Sequence, residues 1–80
     1  MAMANAANIK ERMQVLGSDG QHVGTVDHID SDDKIKLTKA DPASGGRHHQ
    51  IPLDWVDMVD EHVHLSVSAQ QARQQWTAID

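Results

Sequence analysis

His62 and His64 stand at i and i+2 in the stretch His62-Val63-His64-Leu65. On a β-strand that spacing sends both imidazoles out from one face, so they can share a metal ion if a third ligand arrives from His48, His49 or a nearby carboxylate. Zinc or nickel is the cofactor such a set would hold, and adventitious capture of zinc, nickel or copper is the commoner event. The plainer account is a solvated strand face, where histidine serves as well as threonine. His48 and His49 are adjacent, so a strand points them to opposite faces and only one can join either side. His62, His64, His48 and His49 are therefore the candidate metal ligands, set against a default of no cofactor.

Little else in the chain has the pattern of a reaction centre. Cysteine is absent, which excludes disulfides, thiolate nucleophiles and zinc–thiolate or iron–sulfur sites. No serine-nucleophile signature occurs, and nothing in the sequence places Asp54 and Asp57 together in a cleft. The Asp30-Ser31-Asp32-Asp33 run lacks the glycine and the distant glutamate of a calcium loop and reads as a solvated turn. Gly45-Gly46-Arg47 offers a backbone nest without the lysine and following helix of a phosphate loop. The expectation is a protein that is not an enzyme. Trp55 and Trp76 are the two aromatic residues. Each is expected to pack, Trp55 as a lid beside Pro52 and Trp76 as an anchor for a helix, and an exposed one would mark a partner surface.

The elements that must position these residues follow from period and turn chemistry. Residues 1–8 read as a loose Ala/Asn-rich leader, with Asn8 able to cap a turn through Arg12. Met13 to Leu16 begins a strand, Gly17-Ser18-Asp19-Gly20 turns it, and His22 to Ile29 returns as the second arm of a hairpin. Gly24 inside that arm signals a bulge or a close backbone approach, hence a strongly bent strand. Lys34 to Lys39 alternates polar and apolar, with Ile35 and Leu37 facing inward. After the loop 40–47, residues 48–52 resume as a strand with Pro52 at an end or edge. Leu53-Asp54-Trp55 makes a tight turn, and 56–59 pairs with 62–65 as a hairpin. Ser68 caps a helix over 68–80 of about three turns, with Ala69, Ala72, Arg73, Trp76 and Ile79 or Asp80 at helical spacing and a narrow apolar face. The domain proper spans 9–67, with the helix packed on it. The fold class is mainly β: five or six short strands in a small antiparallel β-barrel, with one C-terminal α-helix.

The order of Met13-Gln14-Val15, Gly17-Ser18-Asp19-Gly20-Gln21-His22-Val23-Gly24-Thr25-Val26, Ile35-Lys36-Leu37, Ile51-Pro52-Leu53-Asp54-Trp55-Val56 and Val63-His64-Leu65 resembles the PRC-barrel superfamily. Within it, the chain is similar to a bacterial family of short single-domain proteins of unknown function. The resemblance covers roughly Ile9 to Leu65. It implies a compact PRC-barrel-like module for protein binding or scaffolding, since the superfamily shares no catalytic residues. The chain lacks the transmembrane helix of the reaction-centre H subunit and the N-terminal domain of the ribosome maturation factor, so neither of those roles carries over.

Composition bounds the remaining possibilities. Eighty residues carry 16 Leu, Ile and Val and no Phe, enough for one small core. A core of this size contributes little beyond about 3–5 kcal/mol, so pairing into a homodimer is expected to help. The formal charge of −5 opposes nucleic-acid binding, although protonation of all six histidines would bring it to +1. No apolar run approaches the roughly 18 residues of a membrane span, so no membrane insertion is expected. The N-terminus has no secretion-signal pattern, which makes a cytoplasmic location the expectation. The function expected is a self-associating interaction module, with a metal- or pH-responsive histidine face as the alternative.

Overall fold

The computed structural model describes residues 9–31 and 33–79. The leader and its Asn8 cap, together with Asp32, lie outside the described residues. Strand β1 (Gln14–Leu16) leads into the Gly17 to Gly20 turn, where the Gly20 N–H donates to the Gly17 carbonyl at 2.9 Å. Gly20 has φ 79°, the left-handed conformation that the Asp-Gly pair anticipates.

Strand β2 (His22–Ser31) is ten residues long and serves two partners. Its first part pairs with β1 through Gln14↔Thr25, Val15↔Gly24 and Leu16↔His22, so the register slips by one residue beside Gly24. A Cβ at Gly24 would lie 3.1 Å from Leu37 Cδ1, so the bulge and the close approach coincide. The second part of β2 pairs with β3 (Lys34–Leu37), with further slips between Val26 and His28 and between Ile29 and Ser31. The strand thus runs on through Asp30 and Ser31, which the sequence assigned to a turn. Strand β4 (His49–Pro52) follows a 3-10 turn at Pro42–Ser44, and a second 3-10 turn at Leu53–Trp55 leads into β5 (Val56–Val59) and β6 (Val63–Leu65).

Helix α1 (Ala69–Gln75) and a short strand β7 (Thr77–Ala78) complete the chain. The helix is shorter than its periodicity predicts. Trp76 leaves the helical conformation at ψ 159° and its ring stacks on His49, with centroids 3.8 Å apart. Thr77 and Ala78 then pair with Gln50 and His49 instead of adding a third turn.

Among the described residues, seven strands form one sheet in the order β5-β6-β1-β2-β3-β4-β7. Its pairings are antiparallel except β1 with β6, which is parallel through Val15↔Val63 and Leu16↔His64. The mainly β expectation and the single C-terminal helix hold. The closed barrel of five or six strands does not: the described residues form seven strands, and β5 and β7 stand at opposite edges of their open sheet. Among the described residues the core comprises Ile9, Val15, Val23, Val26, Ile35, Leu37, Ile51, Val56, Val63, Leu65, Ala69 and Ala72. Trp55 and Trp76 are half-buried against it.

The helix start is fixed by a reciprocal capping box, in which Ser68 Oγ accepts from the Gln71 N–H and Gln71 Oε1 accepts from the Ser68 N–H. That end docks on the β1–β2 turn: the Ser18 N–H donates to the Val67 carbonyl at 2.8 Å. A Cβ on Gly17 would fall 2.3 Å from the Ala69 nitrogen, a contact with backbone that no rotamer change can relieve. Gly17→Ala is therefore expected to destabilise the protein by at least about 2 kcal/mol, the scale of forced overpacking. Gly24→Ala meets only the flexible end of Leu37 and should cost less. Urea unfolding of the two variants measures the difference, and equal stability would contradict this docking.

Candidate functional site

Strand β6 and the turn before it hold the first histidine pair. His62 and His64 have ring centroids 6.3 Å apart, tilted by 59°. Asp60 gathers them: its Oδ1 accepts from the His62 backbone N–H at 2.9 Å and lies 2.8 Å from His64 Nε2. Those hydrogen bonds, the His62 backbone first and His64 second, hold the Asp60 carboxyl below its ordinary range. His62 Nδ1 is buried without a hydrogen-bond partner.

The second pair is elsewhere. His49 lies on β4 and His48 just before it, with β1, β2 and β3 intervening in the sheet order. His48 Nε2 is 3.9 Å from Asp27 Oδ2, a carboxylate that also has His28 Nδ1 at 3.4 Å and Lys36 Nζ at 3.8 Å. His49 is buried under the Trp76 ring. The structure thus brings His62 to His64 and brings neither His48 nor His49 to them. Among the described residues, no group of three or more His, Cys, Asp or Glu is arranged to hold a metal ion.

Asp41 forms a cluster that the histidine pattern did not disclose. It is the N-cap of the first 3-10 turn, with Pro42 following, and its Oδ1 accepts from the Ala43 N–H at 2.8 Å. Its Oδ2 accepts from Thr25 Oγ1 at 2.5 Å and sits 2.6 Å from His22 Nε2. The residue is buried. Burial pushes its carboxyl up, yet the hydrogen bonds from Thr25, Ala43 and His22 outweigh that and hold it below its ordinary range. The Asp-Pro pair at 41–42 is a legible cap signal, whereas nothing local ties it to His22 and Thr25.

Asp41 lies on the wall of a cleft of about 590 Å³, lined also by Arg12, Thr25, Asp27 and Thr38. Arg12 holds φ 70° while its N–H donates to the Val26 carbonyl. His22 and Asp41 have the form of a base and its orienting carboxylate, but Thr25 donates to that same carboxylate oxygen. The hydroxyl is therefore engaged by the acid instead of being presented to the base, and the cluster ties β2 to the loop after β3.

The far side of the sheet carries the third feature. Strand β5 is terminal and has β6 as its one strand neighbour among the described residues. Met58 on it is 43% exposed, against 7% for Val56. On the side of β5 away from its open edge, a groove of about 250 Å³ runs across β6 to β1, lined by Leu16, Gly17, Asp57, Met58, His64 and Leu65. That is below the 300–1,000 Å³ of a typical small-molecule pocket and suits a single side chain.

Residues 9–73 match the family described as an uncharacterized protein conserved in bacteria (DUF2171). The chain belongs to that family, as the expectation of a short bacterial family of unknown function anticipates. No curated protein matches the chain.

Two buried groups give the protein an acid response in two stages. Burial, with the charges of Arg47 and His48, keeps the His49 imidazole below 6.5. As pH falls through 6.5 the unfolded chain gains a proton that the folded chain refuses, so stability is lost from there downward. Asp41 acts lower: its contribution is complete above 3.8 and disappears as pH falls through its depressed folded value. Thermal unfolding from pH 7.5 to 3 should show both stages. His49→Phe removes the first, while Asp41→Asn is less stable by about 1–3 kcal/mol at pH 7 and converges on the wild type in acid. A wild type that is flat between pH 7 and 5 would contradict the His49 assignment.

Proposed function

We propose that this chain is a non-enzymatic protein-interaction module that receives its partner along the open edge of β5. The observation that carries the reading is a terminal strand with an exposed methionine and no second strand neighbour among the described residues. An unpaired strand edge is a row of free backbone donors and acceptors, and native proteins usually blunt it with lysine, proline or a covering loop. Here the strand Val56-Asp57-Met58-Val59 carries no lysine or proline, and its own edge features are its short length, Asp57 and a slip in register between Val56 and Met58. Addition of a partner strand would take its affinity from main-chain hydrogen bonds and its selectivity from alternate side chains.

Kinship with the PRC-barrel superfamily belongs to the same proposal. It is supported by the β2 strand shared between two half-sheets and by the close approach at Gly24, both of which fall on the motifs that carry the resemblance. The non-enzymatic reading is supported by the engagement of Thr25 with Asp41. A metal-responsive role would have His62 and His64 of the four candidate histidines to rest on, and the described residues bring them no third ligand. No described helix is long and apolar enough to cross a membrane. A cytoplasmic location and a protein rather than nucleic-acid partner are parts of the proposal, the latter supported by the charge of −5. Self-association remains its second form, with a copy of the chain as the partner.

A photo-reactive residue at position 58, compared with one at the exposed Gln74 of α1, tests the edge directly. Irradiation in bacterial cells is expected to give a discrete protein adduct at 58 and none at 74. The captured protein, once purified, should bind the wild type and bind Met58→Lys at least tenfold more weakly, because an edge lysine opposes strand pairing. Equal adducts at both positions, or unchanged binding by Met58→Lys, would overturn the proposal.

A further inference from the structure

We infer that the occupant of the β5 edge is an extended segment rich in lysine or arginine, contributed by a different protein; this rests on the proposed use of β5. Charge in this chain is segregated along the sheet. All seven lysines and arginines lie at Lys10, Arg12, Lys34, Lys36, Lys39, Arg47 and Arg73, so residues 48–72 contain none. Within that stretch Asp54 occupies the turn entering β5, Asp57 lies on the strand, and Asp60 and Glu61 occupy the turn leaving it. All four are exposed. Asp60 is held as a carboxylate by the His62 N–H and by His64. The approach to the open edge is therefore negative along the whole length of the strand.

This arrangement selects among the possible occupants. A second copy pairing β5 with β5 about a two-fold axis would bring the four carboxylates of one chain against the same four of the other. Like charges facing across a strand pair are destabilising, and neither copy brings a cation to offset them. A head-to-tail contact would escape that repulsion, yet it does not close and would build an open chain of molecules. A basic strand meets neither difficulty. Its lysines or arginines face Asp54, Asp57 and Glu61, and an apolar residue between them contacts the exposed Met58. The salt bridges formed are at the surface, so they steer and select more than they hold, and the main-chain ladder supplies the rest.

Two fluorescein-labelled octapeptides, one alternating Lys and Val and one alternating Glu and Val, test the inference with the full chain in fluorescence anisotropy. The Lys-Val peptide is expected to bind at least tenfold tighter than the Glu-Val peptide, and to weaken as salt rises from 0.05 to about 0.3 M. The double variant Asp57→Asn with Glu61→Gln should weaken it about tenfold. The charge-matched pair Glu11→Gln with Asp27→Asn, both on the wall of the cleft beside Thr25 and Asp41, should change it less than twofold. Circular dichroism confirms that each variant is folded. Equal affinity for the two peptides, no binding of either, or equal effects of the two double variants would overturn the basic-partner inference. In those cases a Met58→Lys effect on the captured protein would leave the β5 reading standing. A native-mass dimer abolished by Met58→Lys would give the edge to a second copy and also overturn the inference.

Discussion

One ten-residue strand has to belong to two half-sheets at once, and the remaining architecture hangs on how it does so. The first part of β2 carries β1, and through it β6 and β5; the second carries β3, β4 and β7. The slips in register at each half mark bulges, which bend a strand and increase its twist, and Gly24 keeps the backbone close enough for Leu37 to pack against it. The same strand is fastened from outside at His22, whose ring meets Asp41 after β3 and whose carbonyl accepts from the Arg73 guanidinium of α1. With so few large apolar residues, this small core relies on such polar ties to fix the halves relative to one another.

That constraint also leaves β5 where it is. Of the elements on the β1 side, β5 is the most remote from β2 and has a single strand neighbour among the described residues. Helix α1 is used up at the β1–β2 turn, and β7 returns to β4 at the opposite end. Nothing described is left to cover the β5 edge. Openness and negative charge therefore coincide at one end of the sheet as a consequence of topology, and together they make the end a selective surface.

Much of this fold is legible in the sequence, and the reasons are local. The alternation at Ile35 and Leu37, the Asp-Gly turn and the capping serine at Ser68 each act within a few residues. Gly24 is legible as a packing glycine because it interrupts a β-branched run. What is not legible depends on distant partners. Trp76 sits at perfect helical spacing from Ala72, yet its ring is captured by His49, 27 residues away in sequence, and the helix ends there. His22, Thr25 and Asp41 carry no shared spacing, so their cluster is invisible until β2 and the loop after β3 meet. The histidines at 62 and 64 are adjacent as their spacing requires, but sequence cannot reveal that three strands separate them from 48 and 49. Closure of the sheet is likewise a global property, decided by whether the last strand reaches the first edge.

The central claim is that a partner strand adds to β5. Residue-resolved amide hydrogen exchange of the full chain, with and without the Lys-Val peptide, tests it most directly, because a new ladder protects amides on the strand that gains it. The account predicts slowed exchange at amides within Val56–Val59, with the cleft around Arg12 and Thr25 unchanged. Slowing confined to that cleft, or to the β7 edge, would contradict it.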